Sequence, residues 1–290
     1  MPVFAEMLAK APSALARIGC FFSRKRHCYL GGLPCKALVM QHNILIAHDR
    51  DNNLVDEKVT FYAYQAILSK FGINLDVSVL QKAWSGQRYN AAFRNFEQTF
   101  GIKLGNYQKL FEKTVIDLQE RYESVLPEVP SVLQLIATAG INQVVVTNNS
   151  RRVAENGFRL CGLQALLPSA KIYSGDDVTA HKPAPEIYLL AMASEGCSPA
   201  NTVAIEDSVA GMQAATAAQV RVRIANLSIH HLNGAVAEDI AQAVAQLRKA
   251  GATHFAHGYG DVWRIIQAEA GLTAQGALLS RQPAESSSWP

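Results

Sequence analysis

The 290-residue chain is 49% hydrophobic, yet it has no uninterrupted apolar run of the length a transmembrane helix needs. That argues against an integral membrane segment. Cysteine is also scarce: Cys20, Cys28, Cys35, Cys161 and Cys197 are odd in number and lack the short paired spacing of a zinc site. Reduced thiols in a cytosol-like compartment are the simplest account. Internal repeats are missing, and so is a strong excess of one charge. The net charge of +3 divides into +5 over residues 1–40 and −2 over the rest. A slightly acidic body gives no support to a nucleic-acid footprint spread over the fold.

What is there begins with a basic head, SRKRHCYLGGLPCK, which reads as an extension over residues 1–40. Three readings of it stand open: an import presequence, a membrane-surface or partner-binding arm, or sequence upstream of a working start at Met40. The expected location is cytoplasmic, with organelle import through residues 1–40 as the alternative. At the other end, residues 271–290 finish in the polar, proline-bearing SRQPAESSSWP and read as disordered.

Between these ends, short β-rich runs recur: ILIAH (44–48), NQVVVT (142–147), KIYSG (171–175), TVAIE (202–206) and VRVRIA (220–225), with a last strand in THFAH. Four are almost continuously apolar, as strands are when helices cover both sheet faces. VRVRIA alternates, which suits an edge strand. Helical segments such as SRRVAENGFRLCGL, PEIYLLAMASEG and SVAGMQAATAAQ separate the runs, so the fold class is α/β with a parallel sheet of βαβ units. From Lys58 to about residue 128 only helical patterns occur. Phe111, Val115, Leu118, Tyr122 and Val125 step by four and three along one helical face. Seventy helical residues are too many for a crossover and read as an inserted bundle. The expected organisation is a Rossmann-like core, residues 41–57 and 129–270, with a helical cap over 58–128.

In parallel sheets, ligands bind beyond the carboxyl ends of the strands. Strand one ends in Asp49-Arg50-Asp51, strand two in Thr147-Asn148-Asn149-Ser150 and strand four in Glu206-Asp207-Ser208; Lys182 opens the helix after strand three. Each has an ordinary explanation alone. TNNS caps a helix, Lys-Pro-x-Pro-Glu starts one, and Glu-Asp-Ser complements a helix dipole. Together they converge. Carboxylates crowded into one crevice repel unless cations neutralise them, and magnesium with a lysine does so economically. Such a site matches a phosphate dianion.

In this order the motifs, KPAPEIY and EDSVAGMQAATAA above all, resemble the haloacid dehalogenase superfamily, from about His42 to Gln267. The nearest group is that of helical-capped sugar-phosphate phosphatases, which includes 6-phosphogluconate phosphatase. The resemblance implies a Mg²⁺-dependent phosphatase acting on a small phosphate ester. Asp49 would be the nucleophile and Asp51 the acid and base. Mg²⁺ would be held by Asp49, Asp207 and the carbonyl of Asp51, with Glu206 close by. Thr147, the amide of Asn148 and Lys182 would bind phosphoryl oxygens, and Ser208 would orient water or metal ligands. A monomer or weak dimer is expected.

The chain also departs from that pattern. Asn52 and Asn53 stand where the family has glycine and threonine; asparagine tolerates a positive φ, so the turn is expected to survive. Gln219 replaces a glycine, and His48 reads as a filler at the strand end. In the cap, Gly86 and Arg88 are the expected substrate contacts, and Arg94 reads equally well as a solvated charge. Arg50 points either to the substrate or to solvent. Two alternatives remain. A phosphoglucomutase-like isomerase would carry a histidine twelve residues past the nucleophile, where Phe61 stands. A weakened relative that only binds a phosphoryl ligand or a partner protein would have no need of both aspartates.

Overall fold

The computed structural model describes residues 44–84, 89–232 and 234–271. The basic head, Gly86, Arg88 and all but the first residue of the polar tail lie outside those residues. The elements run β1 (Leu45–His48), α1 (Lys58–Ser69), α2 (Val77–Trp84), α3 (Tyr89–Phe100), α4 (Tyr107–Tyr122), α5 (Val129–Thr138) and β2 (Asn142–Val146). They continue with α6 (Arg151–Leu160), β3 (Ile172–Tyr173), α7 (Glu186–Ser194), β4 (Thr202–Glu206), α8 (Val209–Ala217) and β5 (Val222–Asn226). Last come α9 (Ser228–Leu232), α10 (Ala237–Ala250), β6 (His254–Ala256) and α11 (Tyr259–Ala270).

The six strands form one parallel sheet in the order β3-β2-β1-β4-β5-β6. Alternate residues of β1 serve different cores. Ile46 joins the cluster containing Val145, Ile205 and Ile224, whereas Leu45 and Ala47 join that of Val144, Val146 and Ala204. Helices cover both faces, α5, α6 and α11 on one and α7 and α8 on the other, so the middles of the strands are apolar on both sides. Burying each such side chain contributes roughly 1.5–3 kcal/mol. From β1 the chain builds outward through β2 to β3, then returns to place β4 on the other side of β1. The connections therefore diverge between β1 and β4, and a crevice opens at their carboxyl ends.

Two strand expectations change. VRVRIA is not an edge strand: β5 lies between β4 and β6, and β6 is the edge. Its alternation came from arginines at its start. Arg221 precedes the strand, and the Arg223 guanidinium folds back onto the carbonyls of Val220 and Gly251. KIYSG shrinks to two paired residues because Ser174 and Asp177 cap each other and turn the chain into a helical turn.

Helices α1 to α4 bury a cluster of their own, centred on Phe61, Tyr64, Phe93, Phe96 and Phe111. Tyr64 meets Phe93 and Phe96 edge-on at 5.4 and 5.3 Å and stacks on Phe111 at 5.2 Å. The predicted face of α4 holds through Tyr122, but Val125 lies beyond the helix. There it forms an antiparallel bridge with Val55, while Leu126 N–H donates to Leu54 O at 3.0 Å and Asp56 N–H to Ser124 O at 2.9 Å. This short ribbon joins the bundle to the sheet. No helix among the described residues is long and apolar enough to cross a membrane.

Candidate active site

The crevice is built from the ends of β1, β2 and β4. Asp49 follows β1 directly, and its N–H extends the ladder to Ile205 O at 2.9 Å. The chain then turns tightly: Leu54 N–H donates to Arg50 O at 2.8 Å and Asn52 N–H to Val55 O at 2.7 Å. Asn52 takes φ +55°, the left-handed conformation that asparagine tolerates best after glycine. Gln219 does the same after α8, at φ +59°.

Lys182 holds the centre. Its Nζ donates to Asp49 Oδ1 at 2.6 Å, to Glu206 Oε1 at 2.6 Å and to the Val146 carbonyl at 2.8 Å, which commits all three of its protons. It lies in the loop ahead of α7 rather than at the helix start, because Pro185 takes the cap position. Asn148 fixes that loop: its Oδ1 accepts from Lys182 N–H at 3.0 Å, and its Nδ2 donates to Lys182 O at 3.3 Å. Only 3% of Lys182 is exposed. Burial works to lower its pKa, but Asp49 and Glu206 together outweigh that and raise it.

Three carboxylates crowd this cation. Ligand oxygens of Asp49, Glu206 and Asp207 lie within 4.8 Å of one another. Burial pushes the Asp49 pKa up, Lys182 opposes the shift and Asp51 adds to it. Burial also raises Glu206 to about 7, with Lys182 opposing and Asp49 adding. Asp207 is raised well above the ordinary range by burial and then by repulsion from Asp49, Glu57 and Glu206. Glu206 Oε1 also accepts from Tyr188 Oη at 2.5 Å, whereas its buried Oε2 has no hydrogen-bond partner among the described residues. More negative charge is packed here than one lysine balances. An oxygen-coordinated divalent cation fits that donor set.

The two asparagines of the turn now have visible tasks. Asn53 Nδ2 donates to Asp207 Oδ1 at 3.1 Å and to the Asp51 carbonyl at 3.3 Å, and its Oδ1 accepts from Asn226 Nδ2 at 3.2 Å. It ties the end of β1 to the end of β4. Asn52 Oδ1 accepts from Glu57 N–H at 3.4 Å at the start of α1.

The Asp51 carboxylate stands apart from the other three. One of its oxygens accepts from Arg50 Nη1 and the other from Asn149 Nδ2. Arg50 reaches neither substrate space nor solvent: it is 1% exposed, and its Nη2 donates to Glu123. Ser208 caps α8 through Gly211 N–H at 3.0 Å, and Ser150 caps α6. His48 is a buried filler whose Nδ1 lies 3.0 Å from Tyr259 Oη; burial lowers its pKa to about 3, so the ring is neutral.

A cavity of about 160 Å³ lies over these groups. Asp49, Asp51, Thr147, Lys182 and Asp207 line it from the sheet; Thr60, Tyr64, Tyr89, Asn90 and Phe111 line it from the helical bundle. Arg94 is exposed on α3 and is not part of the lining. Tyr188 and Glu123 belong to the network but carry no role in the sequence analysis, and Asn149 appears there only as one of the strand-end polar residues. Asn149 and Tyr188 sit inside the motifs TNNS and KPAPEIY; nothing near Glu123 in the chain marks it.

The family model of the haloacid dehalogenase-like hydrolases matches residues 46–225, the span that holds all but the first residue of β1, the bundle, and every carboxylate of the crevice. The chain belongs to that family. A phosphorylated carbohydrates phosphatase of Thermotoga maritima is 32% identical over 208 residues, 70% of this chain and 93% of that protein. Protein CbbY of Rhodobacter capsulatus is 33% identical over 102 residues; that match spans 34% of this chain and 44% of the relative's length. Among solved structures, a haloacid dehalogenase-like protein of unknown function from Agrobacterium tumefaciens superimposes with a TM-score of 0.63. It is 25% identical, over 78% of this chain and 98% of that one. The hydrolase family, the parallel α/β core and the phosphatase-named relative agree with the resemblance read from the motifs.

Proposed function

We propose that the chain is a magnesium-dependent phosphatase that hydrolyses a small phosphorylated metabolite, a sugar phosphate by class, through an aspartyl-phosphate on Asp49. One observation carries the reading. The Asp49 carboxylate stands at the mouth of the β1/β4 crevice, with one oxygen on Lys182 and two further carboxylates beside it. The name of the Thermotoga maritima relative supports the carbohydrate class.

In this reading the helical bundle is a cap that closes the cavity and excludes water. Mg²⁺ would be held by Asp49, Asp207 and the Asp51 carbonyl, and would supply positive charge to the transferring phosphoryl group. The chain's own residues do the rest. Lys182 has no proton left for a phosphoryl oxygen, so it serves by holding Asp49 in line and balancing its charge. Thr147 and the backbone amide of Asn148, at the end of β2, receive the non-transferred oxygens. Asp49 attacks phosphorus. Asp51 gives a proton to the departing alcohol and then takes one from the water that opens the aspartyl-phosphate. One carboxylate cannot do both jobs, because Asp49 is esterified when the base is needed. Gly86 for a turn, and Arg88 as the cation that meets an anionic group, are proposed for the substrate's far end.

Phe61 supports hydrolysis over isomerisation. It is buried in the bundle core and offers no histidine to a mutase cycle. The test is phosphate release from a panel of sugar phosphates and an aryl phosphate, with Mg²⁺ and with chelator. Expected is metal-dependent turnover that Asp49→Asn abolishes. No turnover on any ester would refute the proposal.

A further inference from the structure

Arg50 sits between the two aspartates, where the hydrolytic scheme asks for no cation. Its fork is divided between two carboxylates: Nη1 donates to Asp51 Oδ1 and Nη2 to Glu123 Oε1. Glu123 follows the last turn of α4, at the start of the ribbon that joins bundle to sheet, and its side chain is wholly buried. Its other oxygen accepts from Gln119 Nε2 at 3.1 Å, and the same nitrogen donates to Val153 O at 2.9 Å. Arg50 also lies over the Phe158 ring, 5.9 Å from the centroid.

The surroundings are shaped around this pair. A Cβ on Gly157, within α6, would fall 2.4 Å from Arg50 Nη2 and 2.4 Å from Glu123 Oε1. Glycine weakens a helix interior, so its presence there marks the space the ion pair needs. An apolar side chain would fill the Arg50 site without the desolvation penalty of a buried charge. What the guanidinium adds is two directed, coplanar bonds. With Asn149 on its second oxygen, Asp51 is held on both sides while still lining the cavity.

We infer that Arg50 is a positioning residue, which sets the Asp51 carboxylate against the cavity by tying it to Glu123 at the junction of bundle and sheet. The inference rests on the phosphatase reading, in which Asp51 is the proton donor. Protonation by Asp51 matters in proportion to the basicity of the leaving group: a sugar alkoxide needs the proton, whereas a nitrophenolate does not. Loss of Arg50 therefore acts selectively.

The experiment compares kcat/KM for 4-nitrophenyl phosphate with kcat/KM for the best sugar phosphate of the panel, both with Mg²⁺. The variants are Arg50→Met, Glu123→Gln and the double variant, which leaves no buried charge at position 123 without its partner and carries the test if Arg50→Met alone does not fold. Expected is a loss on the sugar phosphate at least tenfold greater than on the aryl ester in the double variant. In an Asp51→Asn background the same change should lower both equally. Equal losses with Asp51 intact, or no loss, would overturn the role of Arg50 and leave the phosphatase reading standing. Wild-type protein inert on both esters would remove both.

Discussion

Gly211→Ala sets two effects of opposite sign against each other, and the structure decides between them. Gly211 lies in the first turn of α8, where alanine gains about 1 kcal/mol of helix propensity. A Cβ at this position would, however, fall 1.9 Å from Glu206 Oε2 and 2.2 Å from its Cδ, against an ordinary contact of 3.4–4 Å. Glu206 is fully buried and held through Oε1 by Lys182 and Tyr188, so it cannot retreat without breaking those bonds. Overpacking costs about 1–3 kcal/mol, and a weakened hydrogen bond to a buried charge about 1.5–3 kcal/mol more. The net expectation is destabilisation by roughly 2–5 kcal/mol, which lowers Tm by roughly 4–20 °C in a domain of this size. Urea unfolding followed by circular dichroism measures it. In a Glu206→Ala background the same substitution should become neutral or stabilising. A Gly211→Ala protein as stable as wild type or more so, with Glu206 intact, would refute the packing on which the crevice depends.

Asn52→Ala should cost about 1–2 kcal/mol for forcing a Cβ residue without a local partner into the left-handed region, while Asn52→Gly should stay within about 1 kcal/mol of wild type; urea midpoints separate them. Asn53→Ala frees Asp207 and cuts the link to Asn226, and should weaken activation by Mg²⁺ roughly 10- to 100-fold, read from a metal titration of turnover. Glu206 has its pKa raised from 4.5 to about 7 in the fold, chiefly by burial, so its contribution to stability is fully present below about pH 4.5 and is lost as pH rises through about 7. Metal-free protein should therefore lose stability across that window. Glu206→Gln should flatten the loss, and added Mg²⁺ should stabilise more at pH 8 than at pH 6 by thermal denaturation.

Where the sheet and its crevice lie was legible because covered parallel strands are almost continuously apolar and their polar ends stand out. Asp49, Thr147, Lys182, Glu206 and Asp207 all sit at or beside such ends. The order of the outer strands was not legible, since the arginines of VRVRIA mimic edge alternation, although Arg223 folds onto the carbonyls of Val220 and Gly251 and Arg221 onto Ala200 O and Glu269. Arg50 was misread for a related reason. Its partner Glu123 is 73 residues away, and pairing across an inserted bundle leaves no periodic trace in the chain. Val125 kept the helical spacing but belongs to the ribbon, because its bridge to Val55 outweighs one more turn of α4.

The central claim is that Asp49 carries the phosphoryl group. The most direct measurement is acid-quenched turnover of a phosphate ester in Mg²⁺, followed by peptide mass spectrometry of the segment spanning residues 44–57. The account predicts the mass of one phosphoryl group on Asp49 in wild type and none in Asp49→Asn, which should also be inactive. Turnover that persists in Asp49→Asn, with no phosphoryl group on that segment in wild type, would contradict it.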